Sequence, residues 1–209
     1  MYVCNHGRKL LSKALIVIDL QYDFCPGGAL AVPGGDQIVG GINELMHGFD
    51  AVVFTQDWHP EGHSSFASSH PDHNIYDVIE MPYGPQVLWP EHCIQNTSGA
   101  EFHEDLNLAR ADAIIRKGYR SEVDSYSAFF ENDKITPTGL EGYLRTRNIN
   151  DLHLAGLATD FCVAYSAIDA AKLGFNTTVH THLCKAINLD GSLETALLNM
   201  KKEGVLLHG

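Results

Sequence analysis

Six short apolar runs rich in β-forming residues alternate along the chain with stretches of helical spacing, and this alternation constrains the fold more than any other feature. The runs are "ALIVID" (14–19), "AVVFTQ" (51–56), "DAIIRK" (112–117), "DLHLAG" (151–156), "NTTVHT" (176–181) and "GVLLH" (204–208). Between them lie helix candidates "DQIVGGINELMHG" (36–48), "TPTGLEGYLRTRN" (136–148), "DFCVAYSAIDAAKLG" (160–174) and "DGSLETALLNMKKEG" (190–204). Asp36, Thr136, Asp160 or Thr159, and Asp190 are the expected N-caps, and a Gly often closes the helix. Strand–helix alternation implies right-handed βαβ crossovers. The expected architecture is therefore α/β: three layers, with a mostly parallel six-stranded sheet and helices on both faces. No repeat or low-complexity linker divides the 209 residues, so one domain spanning 1–209 is expected.

One region departs from the pattern. From Asp57 to about Ser98 the chain is rich in Pro, Gly, His and Ser and has little periodicity. Irregular chain of that length either builds a site or is disordered, and Trp58, Phe66, Tyr76, Tyr83 and Trp89 argue against disorder.

A formal charge of −12, from 26 acidic and 14 basic residues, would repel a phosphate backbone, which argues against nucleic acid as a partner. No apolar run approaches the roughly 20 residues that span a bilayer, and "MYVCNHGRKLLSK" lacks the apolar core of a secretory signal. No membrane partner is expected. Cys4, Cys25, Cys93, Cys162 and Cys184 are odd in number and form no CxxC pair, which fits a reducing compartment. A cytoplasmic location is the expectation.

In open parallel sheets, ligands sit outside the carboxyl ends of the strands. The first run ends in Asp19, the second leads into "QDWH", the third ends in Lys117, and the fourth is followed by Cys162. One rim thus collects a carboxylate, a carboxylate–imidazole pair, an amine and a thiol. Cys162 sits where a strand gives way to a helix, and a helix N-terminus is expected to lower a thiol pKa and to offer N–H groups to an oxyanion. It is the candidate nucleophile. Asp19 could exchange its proton, and Lys117 would favour the charged forms of both. Cys25, Cys93 and Cys184 read as small buried hydrophobes.

Asp57 and His59 are two apart in extended chain, so both can face one ion. His63, His70, His73 and His92 follow, and with His59 they make five of the chain's twelve histidines. Spacing alone leaves the third ligand open; an Asp with imidazoles suits Zn(II), Fe(II) or Mn(II) at an open, catalytic site. "CPGGALAVPGG" lacks the pattern of a dinucleotide or Walker loop. "DSYSAFF" (124–130) reads equally as a pocket wall or as core.

Taken together, "VIDLQYDFCPGGALAVPGG", "TQDWHPEGHSSFASSH", "LWPEHCIQNTSGAEFH", "IRKGYRSEVDSYSAFFEN" and "LAGLATDFCVAYSAIDAAKLGF" closely resemble the nicotinamidase (pyrazinamidase) branch of the isochorismatase-like cysteine hydrolases. The resemblance covers roughly residues 14–185, in the family's order and spacing. It implies hydrolysis of nicotinamide to nicotinate and ammonia through a thioester, in NAD salvage, with Asp19, Lys117 and Cys162 as the catalytic triad. It further implies one divalent metal ion, Zn(II) in the first place with Fe(II) or Mn(II) as alternatives, held by Asp57, His59 and His92. His63 matches a position that ligates the metal in some members and approaches it only through water in others. His70 and His73 fall outside the motif. Phe24 and Trp89 match residues that sandwich the pyridine ring. "GLATDFC" matches a segment with a cis peptide, here Leu157–Ala158, that turns the Ala158 and Cys162 N–H groups into an oxyanion hole. A homodimer is the family's expected assembly. The family commonly has an acidic, Arg-bearing segment where this chain reads "THLCKAIN" (181–188), and residues 1–13 match no motif. Superfamily members acting on N-carbamoyl or ureido substrates share the triad but generally lack the "DWH" and "WPEHC" pair, and they form the alternative.

Overall fold

The computed structural model describes residues 13–209, so Cys4 and most of the N-terminal stretch read for a signal lie outside the described residues. Six strands form the main sheet: β1 (Lys13–Ile18), β2 (Ala51–Asp57), β5 (Ala113–Lys117), β6 (Asp151–Leu157), β7 (Asn176–Lys185) and β8 (Leu206–His208). They pair in the order β5-β2-β1-β6-β7-β8, and every neighbouring pair is parallel. The winding therefore reverses between β1 and β6, which opens a crevice above their carboxyl ends. Asp19 and Cys162 follow these two strands.

Side chains of consecutive strand residues point to opposite faces. Ala14 to Ile18 and Ala51 to Phe54 are all fully buried, so both faces of the sheet are covered at its centre. Burial fades outward: β5 alternates, and two of the three residues of β8 are exposed. All six expected strands are present, with ends shifted by a residue or two except at β7, which runs on to Lys185.

The four α-helices are shorter than their apolar spacing suggested: α1 (Val39–Leu45), α2 (Leu140–Thr146), α3 (Ala164–Lys172) and α4 (Ser192–Lys202). The expected caps are a correction, since no side chain caps any of the four. Asp36 lies in a 3₁₀ turn (Gly35–Ile38) that leads into α1, and α2 and α4 are entered through Gly139 and Gly191. Thr159 and Asp160 belong to a turn of π-helix (Thr159–Val163) that runs straight into α3. The closing glycines are as expected: beyond Gly174 and Gly204, the N–H groups of Phe175 and Val205 donate back to the carbonyls of Ala170 and Met200.

The irregular region contains a hairpin that its spacing did not reveal, β3 (Val78–Met81) with β4 (Gly84–Val87). Two four-residue strands, one carrying Pro85 and with Gln86 the single buried residue between them, have no apolar alternation to detect. The rest of the region is pinned from inside, where Phe66 and Trp89 are buried and bridge each other. Among the described residues no helix is long and apolar enough to cross a membrane.

Candidate active site

Backbone clamps at the sheet's carboxyl edge position the charged groups. Asp19 follows β1 with φ of 46°, a left-handed conformation that Asp tolerates better than most residues. Thr55 holds it twice: its Oγ accepts the Asp19 N–H (3.2 Å) and donates to Oδ1 (2.6 Å). Asp57, at the end of β2, is gripped by Gln21, which donates to its carbonyl and accepts its N–H, each at 2.8 Å. Gly156, at φ of 131°, lies so close to β1 that a Cβ would meet the Ile18 carbonyl at 2.1 Å. The β6–β7 register shifts there, and the chain turns out of the strand through a cis Leu157–Ala158 peptide.

Lys117 is the hub. It is completely buried, and its Nζ lies 2.9 Å from Asp19 Oδ2, 3.0 Å from Asp57 Oδ1, 3.0 Å from the Ser125 carbonyl and 3.5 Å from Cys162 Sγ. Burial alone would lower the ammonium pKa, but Asp19 and Asp57 outweigh it and hold the group charged well above its usual range. Burial pushes the Asp19 carboxyl up, against the pull of Lys117. The Cys162 thiol is also pushed well above its ordinary value, by burial first, against the lowering pull of Lys117 and with Asp19 and Asp57 adding to the rise. A lowered thiol pKa, expected from a helix N-terminus, is thus corrected. Desolvation dominates because the sulfur is buried beside carboxylates. Burial therefore favours the protonated form of Cys162.

The other oxygen of Asp57 faces two imidazoles: Oδ2 lies 3.1 Å from His59 Nε2 and 3.4 Å from His92 Nε2. Each ring spends its Nδ1 on a carbonyl, His59 on Gly118 (2.9 Å) and His92 on Pro90 (2.8 Å). With Nδ1 so engaged, each ring presents its Nε2 to Asp57, where a neutral imidazole would carry its lone pair. This donor set, one carboxylate and two oriented imidazoles, fits a divalent ion, and the three ligand atoms lie within 4.8 Å of one another. Gly118, with φ of 65°, must lack a side chain because a Cβ would meet the His59 ring at 2.5 Å. His63 is packed on His59 but committed elsewhere: Nδ1 accepts the Ser65 N–H (3.1 Å) and Nε2 donates to the Arg120 carbonyl (2.7 Å).

A small pocket joins the two groups, lined among others by Phe24, Trp89, Tyr126, Ala158, Cys162 and Ile187. The "DSYSAFF" segment serves both readings: Tyr126 lines the pocket, while Ala128 and Phe129 belong to the core. Residues whose part the sequence did not show are Thr55, Gln21, Asp124, Gln86 and Asp160. Gln86 donates to Asp124 (2.9 Å) and to the Tyr126 hydroxyl (2.8 Å), which also accepts the Trp89 indole N–H (3.0 Å). Asp160 accepts the N–H groups of Ile187 (3.0 Å) and Asn188 (2.7 Å) and the Ser192 hydroxyl. It thus fixes the wall left open by "THLCKAIN". An isolated polar residue carries no periodic signal, whether in a loop like Asp124 or inside a strand like Thr55 and Gln86, so only the contact itself reveals it. Cys25, Cys93 and Cys184 are reduced and buried, as expected.

Glu131 is buried with Arg120 Nε 3.5 Å away. Burial raises its carboxyl to about 7. A carboxyl raised on folding costs nothing below its unfolded value near 4.3, destabilises progressively up to about pH 7, and imposes its full cost above that. Glu131→Gln should therefore raise stability by about 1 kcal/mol at pH 8, after allowing for solvent screening, and have little effect at pH 4. Urea denaturation at both pH values checks this, and an equal effect at both would refute it.

A parallel α/β sheet with a buried thiol, amine and carboxylate at its switch point describes an enzyme rather than a binding module. The isochorismatase domain family matches residues 13–207, and the chain belongs to that family. It is 55% identical, over 92% of its length and 90% of the relative's, to the nicotinamidase of Acinetobacter baylyi. Its structure resembles the Acinetobacter baumanii nicotinamidase/pyrazinamidase, with a TM-score of 0.94 at 52% identity, covering 96% of this chain and 97% of the other. It also resembles the Pyrococcus horikoshii pyrazinamidase solved with zinc, with a TM-score of 0.76 at 38% identity, covering 94% and 98%.

Proposed function

We propose that this chain hydrolyses nicotinamide to nicotinate and ammonia, and pyrazinamide likewise, with Cys162 as nucleophile. The observation that carries the reading is the shared carboxylate of Asp57: one oxygen contacts Lys117 beside Cys162, and the other faces His59 and His92. A nucleophile and an anchor for a ring nitrogen therefore lie side by side, as a flat heteroaromatic amide requires. The named activities of the relatives support the same reading.

Phe24 and Trp89 sandwich the pyridine ring. Asp57, His59 and His92 hold a divalent cation, with Zn(II) favoured by the zinc-bound relative, and His63 stays outside that set because its nitrogens are engaged. When bound, the ion supplies a Lewis-acid anchor for the ring nitrogen. Asp19 takes the thiol proton as Cys162 Sγ attacks the carboxamide carbon, and Lys117 stabilises the resulting negative charge. The Ala158 and Cys162 amides receive the oxyanion. Asp19 returns the proton to the departing ammonia, then deprotonates the water that cleaves the thioester.

Ammonia release from nicotinamide by purified protein is the test. Chelation should reduce it at least tenfold, with recovery on adding Zn(II), because substrate positioning depends on the ion. Absence of release by metal-replete protein would overturn the assignment, and unaltered release after verified metal removal would overturn the role of Asp57, His59 and His92.

A further inference from the structure

A second group of histidines lies away from the pocket, where β7 meets the edge strand β8. His180 and His182 stand two apart on β7, and His208 pairs with His180 from β8. Their ring centroids are 5.2 to 5.7 Å apart, and one ring nitrogen from each lies within 4.8 Å of the others. We infer that His180, His182 and His208 form a second metal site, selective for a late first-row divalent cation such as Zn(II), that ties the edge strand β8 to β7. This inference is independent of the proposed amidase activity.

Two observations point to a ligand rather than to a chance grouping. His180 is 7% exposed, and its Nδ1 is buried without a hydrogen-bond partner, although buried polar atoms are rarely left so. Its other nitrogen is oriented from behind: Nε2 lies 2.8 Å from His153 Nδ1, and His153 Nε2 lies 3.8 Å from Asp151 Oδ1. The carboxylate favours a proton on His153 Nε2. His153 Nδ1 then accepts from His180 Nε2–H, which leaves the lone pair of His180 on the orphaned Nδ1. Carboxylate, imidazole and ligating imidazole in series are the outer-shell arrangement that orients metal-binding histidines.

The remaining donors match this chemistry. His182 and His208 are exposed, so their rings can close the spacing to the roughly 3.3 Å that tetrahedral coordination at about 2.0 Å requires, and a water can take the fourth position. An all-imidazole set suits Zn(II), Cu(II) or Ni(II) and disfavours Mg(II) and Ca(II). β8 has three residues and borders solvent, so a cross-strand bond adds most there.

The experiment uses the full chain, demetallated and titrated with Zn(II), with bound metal counted after equilibrium dialysis. Wild type should bind two equivalents. His182→Ala/His208→Ala, which alters exposed residues, should bind one, release ammonia from nicotinamide at the wild-type rate, and lose the Zn(II)-dependent rise in Tm attributable to the second ion. His180→Gln, keeping the backbone and most of the volume, should weaken the second equivalent more than tenfold. Equal stoichiometry in wild type and the double variant would overturn the site.

Discussion

Cys162→Ala is expected to lower nicotinamide hydrolysis by a factor on the order of 10⁴ or more, with the fold retained. The substitution removes one atom from a side chain that is already small, so Tm should change little. Among the described residues the pocket is lined by no second cysteine, and Cys93 is fully buried outside its lining. Because burial pushes the Cys162 thiol up, its proton must pass to Asp19, and the rate should rise with pH as Asp19 loses its own proton, above the ordinary carboxylate range. Ammonia release against pH, for wild type and Cys162→Ala, checks both statements. A variant retaining a hundredth of the wild-type rate would remove the thioester from the mechanism.

Lys117→Met should be the most destabilising single change at this site, by about 3–5 kcal/mol at neutral pH, because it leaves Asp19 and Asp57 buried without their shared cation. The pH dependence can be worked out from the shifts. Lys117 is raised on folding, so its contribution is complete below the unfolded value near 10.4 and is lost as pH climbs through the folded one. Asp57 is pushed by His59 and Lys117 well below its ordinary value in spite of burial, so its contribution is present above the unfolded value near 3.9 and is lost as pH falls. Asp19, shifted the other way by burial, opposes part of the second effect. Wild type and variant should therefore differ most between these limits and converge in acid, where both carboxylates take up protons. Denaturant midpoints from pH 3 to pH 10 test this, and a difference below about 1 kcal/mol at pH 7 would mean that the carboxylates relax by sharing protons instead.

Particular residues show what local sequence could carry. That Asp19, Lys117 and Cys162 lie together is legible from position alone, because each ends or follows an apolar run and a parallel sheet brings such ends to one rim. Asp57 and His59 are legible from their spacing of two, whereas His92 enters only through the resemblance: the 32 residues between His59 and His92 obey no period. Asp160 reads as a cap from its neighbours alone, but the structure has its carboxylate accept the N–H of Ile187, 27 residues along. Thr55 was hidden inside a strand, where nothing distinguishes a clamp for Asp19 from a β-branched filler.

The sequence by itself determined the six strands, the parallel α/β plan and the rim on which chemistry gathers, because hydrophobic periodicity is local and strand ends follow from it. Only the tertiary structure decided that Asp57 faces both Lys117 and the histidine pair, that burial pushes the Cys162 thiol up, and that His153, His180, His182 and His208 meet at one edge. Those outcomes depend on desolvation and on distances of a few ångströms between residues far apart in the chain. Such quantities exist only once the sheet has set its register.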